Sequence, residues 1–481
     1  MADEATEQRE RELKFDVPEG WVLPDPGRFV RDGGSVQTSV VELESTYFDT
    51  EAHDLFEHRL TLRRRTGSTD EGWQLKVPAG EARTEIRLPV EGTRAPQELQ
   101  QLTQGVRRGA PLRPIALVRT RRDLQVLTDA QGTPLAELAV DDVSGSTLGA
   151  STTISQWREV EVELKDGDEA LLQKVAKWLR KSGATPSGSS SKLARTLDAV
   201  PASPCTSTEP LQEAVLAYLS AQYDAIMTGD LALRRGQDVV HRTRVATRRY
   251  RSVLRVFGTY FDPERAAALD AELKWYAGVL GDLRDLQVLR NRLRADLDEL
   301  PGELVLGPVD ARLTETFNAQ ITKASRKLDT AMRSKRYLAL LDELRGWLVA
   351  PPMSSGAGTR KALERYVSKT EKKYRKRAAA ADEVDAGDDA KNAAMHSARK
   401  AAKRARYTAE LSVPMLGKTA RTTRKRAKAV QGRLGERQDA VIAAGFLRRI
   451  GAVAGTTPGE NGFTYGLLLG RQFEHGHLHD S

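Results

Sequence analysis

The stretch Val239-Val240-His241-Arg242-Thr243-Arg244-Val245-Ala246-Thr247-Arg248-Arg249-Tyr250-Arg251-Ser252-Val253-Leu254-Arg255-Val256-Phe257 decides how the C-terminal half folds. At about 100° per residue, His241, Arg244, Arg248, Arg251 and Arg255 share one stripe, with Ala246, Tyr250, Val253, Leu254 and Phe257 roughly opposite. A cationic ridge therefore lies back to back with a packing face. The pattern recurs: His396, Arg399, Lys403 and Arg406 repeat the spacing on a helix that packs through alanine. Downstream, Leu280-Gly281-Asp282-Leu283-Arg284-Asp285 is echoed by Leu434-Gly435-Glu436-Arg437-Gln438-Asp439. The offsets, 155 residues for the histidines and 154 for the Leu-Gly pairs, describe a duplicated C-terminal half.

Around this pair the helical periodicity is nearly continuous, with segments expected at 211–228, 234–258, 263–299, 308–350, 356–381, 388–412, 418–454 and 461–475. Breaks are expected at Pro263, Pro301, Pro308, Pro351-Pro352 and Pro414. The expectation is an all-α bundle of two related halves, about four helices each. His475, His477 and His479 alternate near the C-terminus and read as a tail.

Upstream the period changes. Residues 199–210, rich in Pro, Ser and Thr, read as a linker that contains Cys205, the single cysteine of the chain. One cysteine excludes an intrachain disulfide or a thiolate metal cluster. Residues 10–198 alternate in short strand-like segments. Period 2 places Glu10, Glu12 and Lys14 on one face, and likewise Thr61, Arg63 and Arg65; Gln74 and Lys76; Arg83, Glu85 and Arg87; Arg119 and Arg121; Glu137 and Asp141; and Glu159, Glu161, Glu163 and Lys165. The opposite faces carry Leu138, Val140, Val160, Val162 and Leu164, which need burial. A closed barrel with helices outside and a charged lumen satisfies both faces and removes sheet edges. Leu171, Leu172, Val175, Trp178 and Leu179 form an apolar helical stripe for its outside.

The chemistry of such a lumen is specific. Carboxylates two residues apart offer hard oxygens to Mg²⁺ or Mn²⁺, and converging Arg and Lys neutralise phosphate. The net charge of +9 and pI near 9.4 favour a polyanionic partner. With 481 residues, two or three domains are expected. The charged N-terminus and the lack of long apolar runs lead to an expected cytoplasmic location.

Glu10-Arg11-Glu12-Leu13-Lys14 resembles the ExExK signature of the CYTH, or triphosphate tunnel metalloenzyme, family. TYFDT from Thr46, the LTLRRR and WQLKVP segments, EVEVELK and Ser191-Lys192-Leu193-Ala194-Arg195 follow in the family's order. The resemblance implies an eight-stranded antiparallel β-tunnel acting on triphosphates with Mg²⁺ or Mn²⁺. It makes Glu10, Glu12 and Lys14 catalytic, Glu10, Glu12, Glu161 and Glu163 metal ligands, and Arg63, Arg65, Lys76, Arg119, Arg121 and Lys192 the phosphate grip. The two His-led helices resemble the CHAD family, and imply inorganic polyphosphate binding by His241, Arg244, Arg248, Arg251, Arg255, His396, Arg399, Lys403 and Arg406. Two departures stand out, Glu410 in the place of Arg255 and Gln438 in the place of Arg284.

The expected fold is thus a multidomain α+β chain: tunnel at 1–198, linker at 199–210, duplicated helical bundle at 211–475 and tail at 476–481. The expected function is metal-dependent hydrolysis of inorganic triphosphate or a related short polyphosphate, joined to polyphosphate binding. The competing class is a non-catalytic polyphosphate binder, associated with polyphosphate granules, whose tunnel is vestigial. Nucleic acid is disfavoured because aromatics are 6% and the basic helices carry no interleaved stacking platform.

Overall fold

The computed structural model describes residues 6–30, 33–67, 71–79, 82–89, 92–199, 205–354, 359–384 and 388–477; for 6–10, 79, 82–83, 388–389 and 475–477 it describes the backbone alone. The chain divides into two units, 1–203 and 204–481.

In the first unit the alternating segments become strands β1 (Thr6–Asp16), β2 (Ser35–Asp49), β3 (Thr61–Thr66), β4 (Gly72–Ala79), β5 (Ala82–Leu88), β6 (Arg113–Thr128), β7 (Pro134–Thr147) and β8 (Ile154–Leu164), with a two-residue β9 (Thr185–Pro186). Their order is β5-β4-β3-β2-β6-β7-β8-β1, and β1 pairs back onto β5, closing an antiparallel barrel. The expected eight strands make that closed ring. The ninth adds to the end of β1, pairing with Phe15 and Asp16.

Closure lets each strand bury two different faces. Phe15, Leu138, Val140, Val160 and Val162 point outward, and the helix Glu169–Lys181 covers them with Leu172, Val175 and Leu179. Each such side chain contributes about 1.5–3 kcal/mol on burial. Trp178 lies at the edge of this cluster, its ring set edge-on to Phe29 at 5.1 Å. Asp168 caps that helix by accepting from the Leu171 N–H. On the inner side, the short helix Lys192–Leu197, capped by Ser191, packs Leu193 and Ala194 against the inward-facing Tyr47, Val118 and Val143. This approach requires a glycine in β7, since a Cβ on Gly145 would lie 2.3 Å from Thr196 Oγ1. In chain order these unit-one helices are α1 (Asp54–Glu57), α2 (Gln97–Leu102), α3 (Glu169–Lys181) and α4 (Lys192–Leu197).

The second unit is helical: α5 (Pro210–Arg234), α6 (Val240–Val256), α7 (Pro263–Asp298), α8 (Val309–Arg333), α9 (Lys335–Val349), α10 (Arg360–Asp382), α11 (Asp388–Leu416), α12 (Lys418–Ala454) and α13 (Phe463–His477). Two expected boundaries are corrected. The segment 308–350 is two helices, because Ser334 leaves helical geometry and its hydroxyl caps α9 at the Tyr337 N–H. Pro414 does not end its helix but lies inside α11, which runs to Leu416. The packing face expected of α6 is buried throughout, from Ala246 to Phe257. That of α11 is built from Ala401, Ala402 and Ala405 against Tyr374 and Ala427. A further core joins Leu293, Phe317, Phe446 and Leu468, with Phe317 and Phe446 stacked at 5.0 Å. Among the described residues no helix is long and apolar enough to cross a membrane. The side chains of His475 and His477, and all of His479, lie outside the described residues.

Candidate functional site

Strand register arranges the inward side chains of the barrel in rungs. Glu12 pairs across to Glu163 and Glu163 to Glu137; Lys14 pairs with Glu161; Asp16 pairs with Glu159, Glu159 with Asp141, and Asp141 with Arg122. Like charges directly opposite one another are destabilising, so these rungs need counter-charge. In the lowest of them Lys192 Nζ lies 2.8 Å from Asp141, 2.6 Å from Glu159 and 2.8 Å from Glu161. Arg122 forks onto Asp141 at 2.8 and 2.7 Å and reaches Glu161 at 2.6 Å. Lys14 donates to Glu161 at 2.5 Å and lies 3.6 Å from Glu12. Lys165 bridges Glu163 at 2.9 Å and Glu137 at 3.1 Å.

Protonation follows from this packing. Burial opposes the charge on Glu161 and Asp141, but Lys14, Lys192 and Arg122 outweigh it and hold Glu161 well below, and Asp141 below, the usual carboxylate range. Burial likewise opposes the ammonium groups of Lys14 and Lys192, and the surrounding carboxylates raise both above the ordinary lysine value.

The facing wall is cationic. Arg63, Arg65, Lys76 and Arg87 from β3, β4 and β5 line the same cavity, of about 220 Å³, as Glu12, Glu161 and Glu163. Gln74 orients Arg63 by accepting from its Nε at 2.6 Å, and buried Glu85 holds Arg87 at 2.9 Å. Tyr47 Oη lies 3.5 Å from Arg63; burial raises its phenol, but Arg63 and Arg65 bring it below its ordinary value.

The structure therefore gathers Glu12, Lys14, Arg63, Arg65, Lys76, Glu161, Glu163 and Lys192 around one cavity. The side chain of Glu10 lies outside the described residues, though its backbone pairs with Arg83 inside the ring. Arg119 and Arg121 are corrections. They are 68% and 48% exposed and pair on the outer face with Glu44 and with Asp123 and Asp142. The inward phase of β6 is the even one, so Arg122 takes the lumen position. Arginines at 119, 121 and 122 put a cation on each face and left that phase ambiguous; the inward requirement of Val118 and Leu124 was the signal available.

The hard oxygens suit a divalent cation. Asp141, Glu159 and Glu161 lie within 4.8 Å of one another and could hold a metal, but this cluster already holds the Lys192 ammonium. The upper rung, Glu12, Glu163 and Glu137, offers carboxylates from three adjacent strands and opens on the cavity, with Lys165 bridging Glu163 and Glu137 and Lys14 beside Glu12. The donor type fits such an ion, and among the described residues the acidic group with ligand atoms within 4.8 Å of one another is Asp141, Glu159 and Glu161.

In the second unit the duplicated motifs explain one another. Arg244 pairs with Asp285 at 2.8 Å, and Arg399 faces Asp439 at 3.7 Å. The repeated glycine makes the room: a Cβ on Gly281 would lie 3.0 Å from Arg244 Nη2, and one on Gly435 3.3 Å from Arg399 Nη2. Arg251 and Arg255 both pair with Asp270. Arg248 donates to Tyr407 Oη at 3.3 Å, and Arg406 to Gln431 at 3.2 Å. Glu410, the departure from the repeat, pairs with Arg249 at 2.6 Å. Around Lys403, burial and the guanidinium groups of Arg248, Arg399 and Arg244 lower the ammonium to about 7. Burial and nearby cations also push His241 and His396 below the ordinary imidazole value.

Comparison with known proteins agrees with both units. The CYTH domain model matches residues 8–197 and the CHAD domain model residues 217–448. Two strain versions of an uncharacterized Mycobacterium tuberculosis protein are each 38% identical over 95% of this chain and 92% of their own. Among solved structures, PptA from Streptomyces chartreusis is 21% identical, covering 57% of this chain and 96% of its own at a TM-score of 0.47. The CHAD domain from the plant Ricinus communis is 24% identical, covering 58% and 92% at a TM-score of 0.44. A tunnel joined to a duplicated His-led bundle, matched in order along nearly the whole of a relative, establishes that this chain belongs to the family of proteins that carry a CYTH domain followed by a CHAD domain.

Proposed function

We propose that the tunnel hydrolyses inorganic triphosphate or a related short polyphosphate with Mg²⁺ or Mn²⁺, and that the helical domain binds inorganic polyphosphate. The CYTH family includes triphosphatases and adenylate cyclases and is divalent-metal dependent, and CHAD domains are linked to polyphosphate. The observation that carries the reading is the polarised cavity, an acidic wall from β1, β7 and β8 facing a cationic wall from β3, β4 and β5.

Each wall suits one part of a triphosphate. Arg63, Arg65, Lys76 and Arg87 supply fork-shaped and point-like cations to equatorial oxygens, and Gln74 and Glu85 hold two of the guanidiniums in place before any ligand arrives. Glu12, Glu161 and Glu163, with Glu10 one pleat earlier on β1, would hold the metal. A divalent ion held there would supply neutralisation of phosphate oxygens and a water of lowered pKa. Lys14, kept charged by Glu12 and Glu161, stands in the acidic wall on β1, lines the cavity, and can meet the negative charge that develops on the leaving phosphate. In the helical domain, the four cations Arg244, Arg248, Arg399 and Lys403 crowd together against two carboxylates, Asp285 on Arg244 and Asp439 on Arg399 and Lys403. Such unbalanced charge is relieved by a linear anion with one charge per phosphate.

A panel of inorganic triphosphate, short polyphosphates and nucleoside triphosphates, read by phosphate release with and without Mg²⁺ or Mn²⁺, tests the tunnel. Binding of long-chain polyphosphate at fixed salt tests the bundle. The absence of turnover with retained polyphosphate binding would reject the hydrolase and leave the binder.

A further inference from the structure

The basic charge of the second unit extends beyond the His-led ridge. Helices α10 and α12 pack on either side of α11, as α5 and α7 pack on α6. These are corresponding elements of one duplicated scaffold, and they differ in charge. Helix α5 has one basic residue, Arg234, which is paired with buried Asp230, whereas α10 has nine basic residues and three acidic ones. Helix α7 has six basic and seven acidic residues, against ten and two in α12. The fold itself therefore does not require cations on these helices.

Nor is the pattern that of a helix face selected for solubility. Exposed like charges stand four apart at Lys361 and Arg365, Arg365 and Lys369, Lys369 and Lys373, and Lys372 and Lys376 on α10, and at Arg421 and Lys425, and Arg424 and Lys428, on α12. Every such pair destabilises a helix. Both helices also begin with basic residues and no acid in the first turn, against the helix dipole. The solvated helix α8 of the same unit has one such pair, Lys323 and Lys327, and balances Lys327 on Asp282 and Arg333 on Asp329, whereas on α10 Arg360 pairs with Glu364 at 3.4 Å and the run from Lys361 to Lys376 keeps its four like-charge pairs. The two basic faces are joined where Glu371 of α10 accepts from Thr423 of α12 at 2.8 Å and faces Arg426 at 3.8 Å. They are continuous with the ridge, since Arg404 of α11 is acted on by both Arg255 of α6 and Arg377 of α10.

We propose that the exposed faces of α10 and the first half of α12 form a second track, which holds the continuation of a polyphosphate chain whose first part lies along α6 and α11. The inference rests on the polyphosphate reading above. Rows of Lys and Arg on rigid helices, α10 spanning about 35 Å, recognise phosphate by charge alone. The consequence is an affinity that continues to rise with chain length after the ridge is filled.

The test uses the full chain and polyphosphates of about ten and about one hundred phosphates at matched phosphate concentration and several salt concentrations. The variant K369Q/K372Q/K373Q/K376Q is compared with the wild type and with a ridge variant, R244Q/R399Q; circular dichroism melts verify folding. The expected result for the α10 variant is about a tenfold loss of long-chain affinity and a salt slope shallower by about 2–3, with short-chain affinity unchanged. Unchanged long-chain binding, or equal losses for both lengths, overturns the second track. A DNA duplex that outcompetes long polyphosphate and loses binding in the same variant also overturns it, by making the face a nucleic-acid surface. If the wild type binds neither length, the underlying polyphosphate reading fails; if it binds both equally and only the ridge variant loses them, the second track alone fails.

Discussion

The proposed polyphosphate binding is expected to take up a proton at Lys403. Its ammonium is faced by Arg244 and Arg248 from α6, Arg399 from α11 and Asp439 from α12, and burial with these cations lowers it from 10.5 to about 7. Phosphates placed against the cluster favour the charged form and return the group toward or above its ordinary value. The sign is then fixed: between pH 7 and roughly 10 the unliganded protein carries fewer protons than the complex, so affinity falls as pH rises. One proton limits the slope to about tenfold, or 1.4 kcal/mol, per pH unit. His241 and His396 are displaced downward and titrate on the acid side of this window. The assay is fluorescence-anisotropy binding of long-chain polyphosphate from pH 7 to 9 at constant salt, with calorimetry in buffers of different ionisation enthalpy to count protons. K403R keeps a permanent charge and is expected to bind with a flatter pH profile and to exceed the wild type at pH 9. Equal slopes for wild type and K403R, or no proton uptake, would show that Lys403 is not the group that takes up the proton.

Other outcomes follow from the tunnel. R122A strips buried Asp141 of its fork and is expected to destabilise the protein by about 3–5 kcal/mol, while R119A and R121A, on exposed pairs, stay within about 0.5 kcal/mol in the same chemical melts. Since Glu161 and Asp141 are depressed, their stabilisation is present above the ordinary carboxylate range and is lost as pH falls through their lower folded values; Lys14 and Lys192 are raised, so theirs is present below the ordinary lysine value and lost at higher pH. A melting temperature that stays flat below about pH 4 would contradict this. G145A drives a methyl group into Thr196 and is expected to cost about 1–3 kcal/mol, read by urea unfolding; a variant as stable as the wild type would show that α4 is not packed inside the barrel.

Much of this was legible because two periodicities coexist in the chain. Alternation along Glu12-Leu13-Lys14 and Val160-Glu161-Val162-Glu163 separates lumen from outer core without any knowledge of pairing, and the repeated His-x-x-basic spacing marks the duplicated helices. Phase was lost where alternation is degenerate: in Arg119-Thr120-Arg121-Arg122 a cation stands on each face, and only the burial of neighbouring residues selects Arg122. Long-range pairing was invisible for the same reason, so the joining of Lys192 with Asp141, Glu159 and Glu161 from β7 and β8 had no local signal. The break at Ser334 was hidden because hydrophobic periodicity continues through it while the hydroxyl caps the next helix. Gly281 and Gly435 were seen as repeated letters; the guanidiniums they accommodate come from other helices.

We propose that the acidic wall of the tunnel serves triphosphate hydrolysis. The most direct measurement is phosphate release from inorganic triphosphate by the full chain and by E12Q and E163Q, with Mg²⁺ or Mn²⁺ and after chelation. The expected result is metal-dependent release that falls by about a hundredfold or more in each variant while the fold is retained. Release that persists in both variants or survives chelation, or no release at all, would rule out metal-dependent triphosphate hydrolysis at this wall.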